Sequence, residues 1–221
     1  MKLYLVPETH WDREWYLSFQ DFRYRLVEMM DLLLETMEKD KNYKYFVLDG
    51  QTLPLIDYLE VRAENRERLK RLIKEGRLLV GPFYILPDQF LVSGEAHIRN
   101  LLFGHRIGKE FGKVMKVGYI PDPFGHISQM PQILKGFNID NLIFTRGRNE
   151  KKKMEFYWKA PDGSKVLGIQ LNYGNAANLP SSLKEFREKI HQIVKDYRPR
   201  MNTDILLLNN GVDHLEPQPH I

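Results

Sequence analysis

His10-Trp11-Asp12 sets an imidazole and a carboxylate two residues apart. In extended backbone residues i and i+2 face the same way, so the two side chains can grip one cation. Zinc accepts such nitrogen and oxygen ligands, and a catalytic zinc keeps one position open for substrate. The same pair would also serve as a hydrogen-bonded cap on a strand. Asp122 stands in Ile120-Pro121-Asp122-Pro123-Phe124-Gly125-His126, where prolines on both sides stiffen the backbone and remove donors. This holds a carboxylate in a fixed, exposed turn with Phe124 as an apolar wall, although a plain turn with Asp as turn former reads identically. Asp213, in Asn209-Asn210-Gly211-Val212-Asp213-His214, follows an apolar run. A carboxylate there, facing another across a pocket, suits general acid and base work. Asn-Gly is equally an ordinary turn signal. Trp15 and Tyr16 could stack on a sugar ring or join the core, and His126 reads as a supporting or core histidine.

The elements that must position these residues alternate along the chain. Apolar runs of strand type occupy residues 3–6, 45–48, 78–80, 117–120, 142–145 and 205–208. Residues 155–159 and 166–171 flank Pro161-Asp162-Gly163 and read as a local hairpin. Phe19, Phe22, Leu26, Met29, Leu33 and Met37 recur by threes and fours, which marks an amphipathic helix. Charged helical sequence runs through Leu69 and Leu72 to Gly76, a C-terminal cap. Ser93 offers an N-cap to a helix reaching Phe111, and helices follow over 131–137 and 183–197. Strand–helix alternation predicts an α/β domain with a mostly parallel sheet. A complete eight-fold barrel takes about 250 residues, so an open or incomplete barrel is expected over 1–221 as a single domain. His10, Asp12, Asp49, Asp122, Arg146 and Asp213 all follow strands. In parallel sheets the carboxyl ends share one edge, where sites are built.

Taken together, these residues resemble the N-terminal catalytic region of glycoside hydrolase family 38, the α-mannosidases. His10-Trp11-Asp12-Arg13-Glu14-Trp15-Tyr16 is similar to the opening motif of its bacterial and archaeal branch, and Asp122-Pro123-Phe124-Gly125-His126 to its nucleophile motif. Val80-Gly81-Pro82-Phe83-Tyr84 to Pro87-Asp88-Gln89, Phe144-Thr145-Arg146-Gly147 and Asn210-Gly211-Val212-Asp213-His214 resemble its later segments in order. The resemblance implies a seven-stranded type of β/α barrel and one divalent metal, usually zinc, with cobalt as an alternative. It implies His10, Asp12 and Asp122 as metal ligands, Asp122 as nucleophile and Asp213 as acid and base. Trp15, Phe124 and Arg146 would line the sugar subsite. The expected activity is metal-dependent, retaining hydrolysis of α-mannosides or mannose-containing oligosaccharides. The alternative is an inactive truncated homologue or subunit that binds carbohydrate or pairs with another chain. Family members continue further, with one more metal-binding histidine downstream of the acid/base segment, so His214 or His220 would have to stand in for it. A polysaccharide deacetylase, also built on a related barrel, ranks lower because its paired-histidine H-x-x-x-H helix motif is absent.

Composition closes off other classes. With 43% hydrophobic and 28% charged residues the chain is ordinary globular protein. It has no cysteine, which excludes disulfides, thiolate metal sites and a cysteine nucleophile. The net charge of +4 is spread along the chain, and Lys151-Lys152-Lys153 reads as a solvated loop, so no nucleic-acid partner is expected. The N-terminal apolar run is too short for a signal peptide, and no stretch approaches the roughly 18 apolar residues of a membrane span. A cytoplasmic, soluble protein is expected, with a homo-oligomer or complementing chain covering any missing barrel wall.

Overall fold

The computed structural model describes residues 1–147 and 152–221, so Lys151 of the expected lysine loop lies outside the described residues. Its eight strands form two four-stranded sheets, and all pairings but one are parallel. In the first sheet β1 (Lys2–Thr9) is central, with β8 (Ile205–Asn210) on one side and β2 (Phe46–Leu48) on the other. Strand β3 (Leu78–Val80) lies beyond β2. The second sheet has the order β4 (Gly118–Ile120), β5 (Asn141–Phe144), β7 (Lys165–Gln170), β6 (Glu155–Lys159). The antiparallel β6–β7 pair is the expected hairpin: Gly163 takes φ +91° at its turn, and Ala160 N–H donates to Ser164 O at 2.8 Å.

Strand pairing among the described residues leaves two open sheets and no closed ring. Side chains nevertheless join them. The Tyr119 hydroxyl on β4 donates to Glu8 Oε2 on β1 at 2.6 Å, and Asn209 Nδ2 on β8 donates to that hydroxyl at 3.3 Å. A cavity of about 180 Å³ lies between the sheets, walled by Val6, Val47, Leu79, Val117, Ile143 and Leu207.

Helices cover the outer faces. The long α1 (Phe19–Lys39) starts at Ser18, whose hydroxyl accepts from Asp21 N–H, and buries Phe22, Leu26, Met30, Leu33 and Met37. Leu26, Met30, Leu33 and Met37 pack with Phe46, Leu48 and Val80 into the largest core cluster. The charged helical stretch forms two helices, α2 (Leu53–Leu59) and α3 (Arg66–Glu75). A 3-10 turn at Ala63–Asn65 separates them, and buried Asn65 donates through Nδ2 to the Tyr58 hydroxyl at 2.5 Å. That hydroxyl in turn donates to Asp31 at 2.6 Å, so a buried polar corner replaces continuous helix. Gly76 closes α3 in the left-handed conformation, φ +76°, as its position implies. Ser93 caps α4 (Gly94–Phe111), accepting from Ala96 N–H at 3.2 Å. Helix α5 (Met130–Gly136) packs on the second sheet through Met130 and Leu134, and α6 (Leu183–Tyr197) on a third cluster with Leu206 and Leu208. Lys153 is tied down rather than merely solvated: its Nζ donates to Met201 O at 3.1 Å. No helix among the described residues is long and apolar enough to cross a membrane.

Candidate active site

The first strand carries the chain to His10, and pairing with the last strand decides what meets it. Residues Lys2 to Pro7 pair with Ile205 to Asn210 in register, and an isolated parallel bridge joins His10 to Asp213. Gly211 makes this close approach possible, because a Cβ there would collide with the Glu8 carbonyl oxygen. Residues 202 positions apart in sequence thus become neighbours: Asp12 N–H donates to His214 Nε2 at 3.2 Å.

His10, Asp12 and Asp213 each turn a ligand atom into one spot, all within 4.8 Å of one another. His10 Nε2 lies 3.6 Å from Asp12 Oδ1, while its Nδ1 lies 2.9 Å from Asp49 Oδ2. Burial works against a charged imidazole here, but the carboxylates of Asp49, in contact with Nδ1, and of Asp12 nearby outweigh it and hold the His10 pKa well above its ordinary value. Burial works in the opposite sense on Asp12, whose pKa is nevertheless held below the usual carboxylate range by the nearby imidazole of His10 and, less, by that of His214. One nitrogen and carboxylate oxygens are a donor set that suits zinc, so the residues present fit such an ion.

Asp122 is placed elsewhere on the same wall. The chain from β4 brings it beside Arg146, which follows β5, and Arg146 Nε donates to Asp122 Oδ1 at 2.8 Å while its Nη2 forms a second contact to that oxygen. Arg146 also lies over the Phe124 ring at 4.8 Å and the Tyr173 ring at 5.1 Å. The carboxylate grouped with His10 and Asp12 is therefore Asp213, whereas the resemblance names Asp122 as their partner. All seven residues singled out from the sequence, His10, Asp12, Trp15, Asp122, Phe124, Arg146 and Asp213, line one cavity of about 570 Å³. Trp15 is 63% exposed and Phe124 73%, so neither is a core member. Tyr16 instead packs edge-on to Trp15 at 5.0 Å and braces it.

Neither candidate stand-in histidine is one of the three clustered ligands, although His214 Nε2 lies 3.7 Å from Asp12 Oδ2. His214 is buried, stacked on Phe22 at 4.3 Å and edge-on to Trp11 at 4.9 Å; burial lowers its pKa, so the ring is neutral and acts as a brace. His220 Nε2 is bonded to Leu179 O at 3.0 Å. His126 is half-buried, edge-on to Phe144 and Trp158 and 3.1 Å from Gln89 Nε2 through Nδ1. Two residues escaped the sequence reading. The Tyr173 hydroxyl donates to Asp213 Oδ1, and burial followed by that bond raises the pKa of the phenol. Gln51, also on the cavity wall, donates to Trp11 O at 2.7 Å and Asp49 Oδ2 at 2.9 Å. Both stand just past strands, Tyr173 after β7 and Gln51 after β2, where the positional rule that selected the others would have found them.

Residues 1–220 match the model of the glycosyl hydrolases family 38 N-terminal domain. A protein of Halalkalibacterium halodurans named "Putative mannosylglycerate hydrolase" is 39% identical over 99% of this chain and 26% of its own length. Alpha-mannosidase G of Dictyostelium discoideum is 28% identical over 95% of the chain and 19% of that protein. The crystal structure of an alpha-mannosidase from Enterococcus faecalis V583 superposes with a TM-score of 0.95 at 38% identity, covering 98% of this chain and 25% of that one. The chain thus spans about a quarter or less of the length of the relatives it matches.

Proposed function

Because this chain belongs to glycoside hydrolase family 38, we propose that it forms the metal- and sugar-binding part of a retaining α-mannosidase that removes terminal α-mannosyl groups. One observation carries the reading: Asp122 and Asp213, from strands of different sheets, line a single cavity with His10 and Asp12. The two open sheets are read as walls of an incomplete β/α barrel of the seven-stranded type, a reading supported by the contact of Tyr119 with Glu8 across its interior.

Retention needs two carboxyl groups with different tasks. Asp122 attacks the anomeric carbon and forms an ester to the sugar as the glycosidic bond breaks, while Asp213 gives its proton to the leaving oxygen. Asp213 then takes a proton from water, whose oxygen attacks the anomeric carbon and frees Asp122. Arg146 holds the Asp122 carboxylate in one orientation before attack, and Trp15 and Phe124 supply apolar faces to the sugar ring. His10 and Asp12 would hold the zinc, with cobalt as a substitute. When bound, it acts as a Lewis acid that orients sugar hydroxyls. The third ligand is Asp122 by resemblance and Asp213 by geometry.

Hydrolysis of an aryl α-mannoside and of mannosylglycerate by the purified chain, with zinc and then cobalt, tests the reading. Turnover with retained anomeric configuration, lost in Asp122→Asn, is the expected result. A folded chain with no turnover on either substrate would instead make it a carbohydrate-binding piece. Zinc affinity of Asp122→Asn and Asp213→Asn identifies the third ligand, since only its replacement weakens binding.

A further inference from the structure

Asp49 is fully buried, and no step of the proposed reaction uses it. It ends β2 in the left-handed region at φ +54°, a conformation that Asp and Asn tolerate better than most residues. Gly50 follows because a Cβ there would collide with the Tyr119 carbonyl oxygen. This turn aims the Asp49 side chain across to the end of β1. Its Oδ2 accepts from Trp11 N–H at 3.0 Å and Gln51 Nε2 at 2.9 Å and faces His10 Nδ1 at 2.9 Å, while Oδ1 accepts from Gly50 N–H at 2.7 Å. Gln51 is itself anchored, accepting from Leu86 N–H at 3.2 Å through Oε1.

The Asp49 oxygens already accept from three N–H groups, so the side chain faces His10 as an acceptor and Nδ1 is the donor. That assigns the tautomer, with the proton on Nδ1 and the lone pair on Nε2. Nε2 is the ring atom on the side of Asp12, at 3.6 Å, beyond hydrogen-bond reach but open to a cation between them. Histidines that bind metals characteristically give their other ring N–H to such an acceptor. We infer that Asp49 is the positioning residue of the metal site, fixing the His10 ring with Nδ1 protonated and Nε2 turned to the ion. The inference rests on the metal-dependent reading above and adds to it a residue that touches neither metal nor sugar.

The test is chelator-competition titration of zinc and cobalt(II) into the whole chain, with the cobalt d–d absorption recorded. Asp49→Asn keeps an oxygen for Nδ1 but loses its charge, so affinity falls about tenfold, the low end of the effect of such partners, and the cobalt bands shift. Asp57→Asn is the stability control: it breaks the pair between Asp57 and Arg13 Nε at 2.8 Å, lowering stability while leaving metal affinity unchanged. Should Asp49→Asn fail to fold, ¹⁵N histidine spectra of the wild-type chain with zinc decide the matter, with His10→Gln used to assign the resonance. The Nδ1-protonated ring metallated at Nε2 supports the inference; metallation at Nδ1 overturns it. Wild-type affinity and cobalt bands in Asp49→Asn overturn the role of Asp49 alone. Absence of metal binding by the wild-type chain overturns the metal reading and the inference with it.

Discussion

Glu8 gives the fold a pH dependence that one substitution should remove. Its side chain is almost wholly buried at the end of β1 beside the apolar cavity, with only 3% exposure. The Tyr119 hydroxyl donates to Oε2, but Oε1 has no partner among the described residues. Burial therefore dominates and lifts its pKa from the ordinary 4.5 to about 8, against the lowering effect of the Tyr119 bond. An acid raised in the folded state binds a proton there that the unfolded chain has already lost, so stability falls as pH climbs from 4.5 toward 8. Each pH unit of that window is worth about 1.4 kcal/mol, which sets a ceiling on the order of 5 kcal/mol. Water entering the cavity relaxes part of this, and we expect a loss on the order of 3 kcal/mol. Glu8→Gln keeps an oxygen for Tyr119 and cannot ionise. In metal-free urea titrations at pH 5 and pH 8.5, the variant should match or slightly trail the wild type at the lower pH. It should exceed the wild type by on the order of 3 kcal/mol at the higher one. The difference between the two proteins is the readout, because His10 adds a slope of the same sign to both, while Asp12, held below its ordinary 3.8, titrates beneath this pH window. Parallel stability curves for wild type and Glu8→Gln would refute the reasoning.

Gly211→Ala forces a Cβ into the Glu8 carbonyl oxygen and should cost about 1–3 kcal/mol by urea midpoint. It should also separate Asp213 from His10, seen as weakened metal binding. Tyr173→Phe removes a hydroxyl that donates to the proposed acid and base. A hydrogen bond to a charged group is worth about 1.5–3 kcal/mol, so kcat should fall by about 10- to 100-fold with little change in KM.

Much of the fold was legible because local chemistry and tertiary structure agree. Ser93 caps the helix it precedes, Gly76 ends α3 in the left-handed conformation, and Pro161-Asp162-Gly163 turns the hairpin. The split of α2 from α3 was not legible, because Asn65 is ordinary in a charged helix until the Tyr58 hydroxyl and Asp31 are known to lie beside it. Asp49 presents the same difficulty at the site. Its sequence context, Leu48-Asp49-Gly50, is that of any strand-ending turn, and its work is visible only when β2 is placed against β1.

The composition of the cation cluster follows from strand order rather than from motifs. His10 and Asp12 sit at the end of β1, and whichever carboxylate joins them depends on which strand β1 takes as its neighbour. Helices and loops separate β1 from β8 by nearly the whole chain, yet six consecutive pairings from Lys2 with Ile205 to Pro7 with Asn210 lock their register. Continuing that register past Gly211 lands Asp213 on His10. A one-residue slip would turn the alternate side chains to the other face and take the carboxylate away. Asp122 belongs to β4 in the other sheet, so its distance from His10 depends on how the sheets face each other, and its orientation on Arg146. Two carboxylates governed by such different constraints can take different tasks in one cavity. The one locked by strand register suits a fixed ligand or proton donor, and the one held by a single ion pair suits a nucleophile that must change partners during reaction.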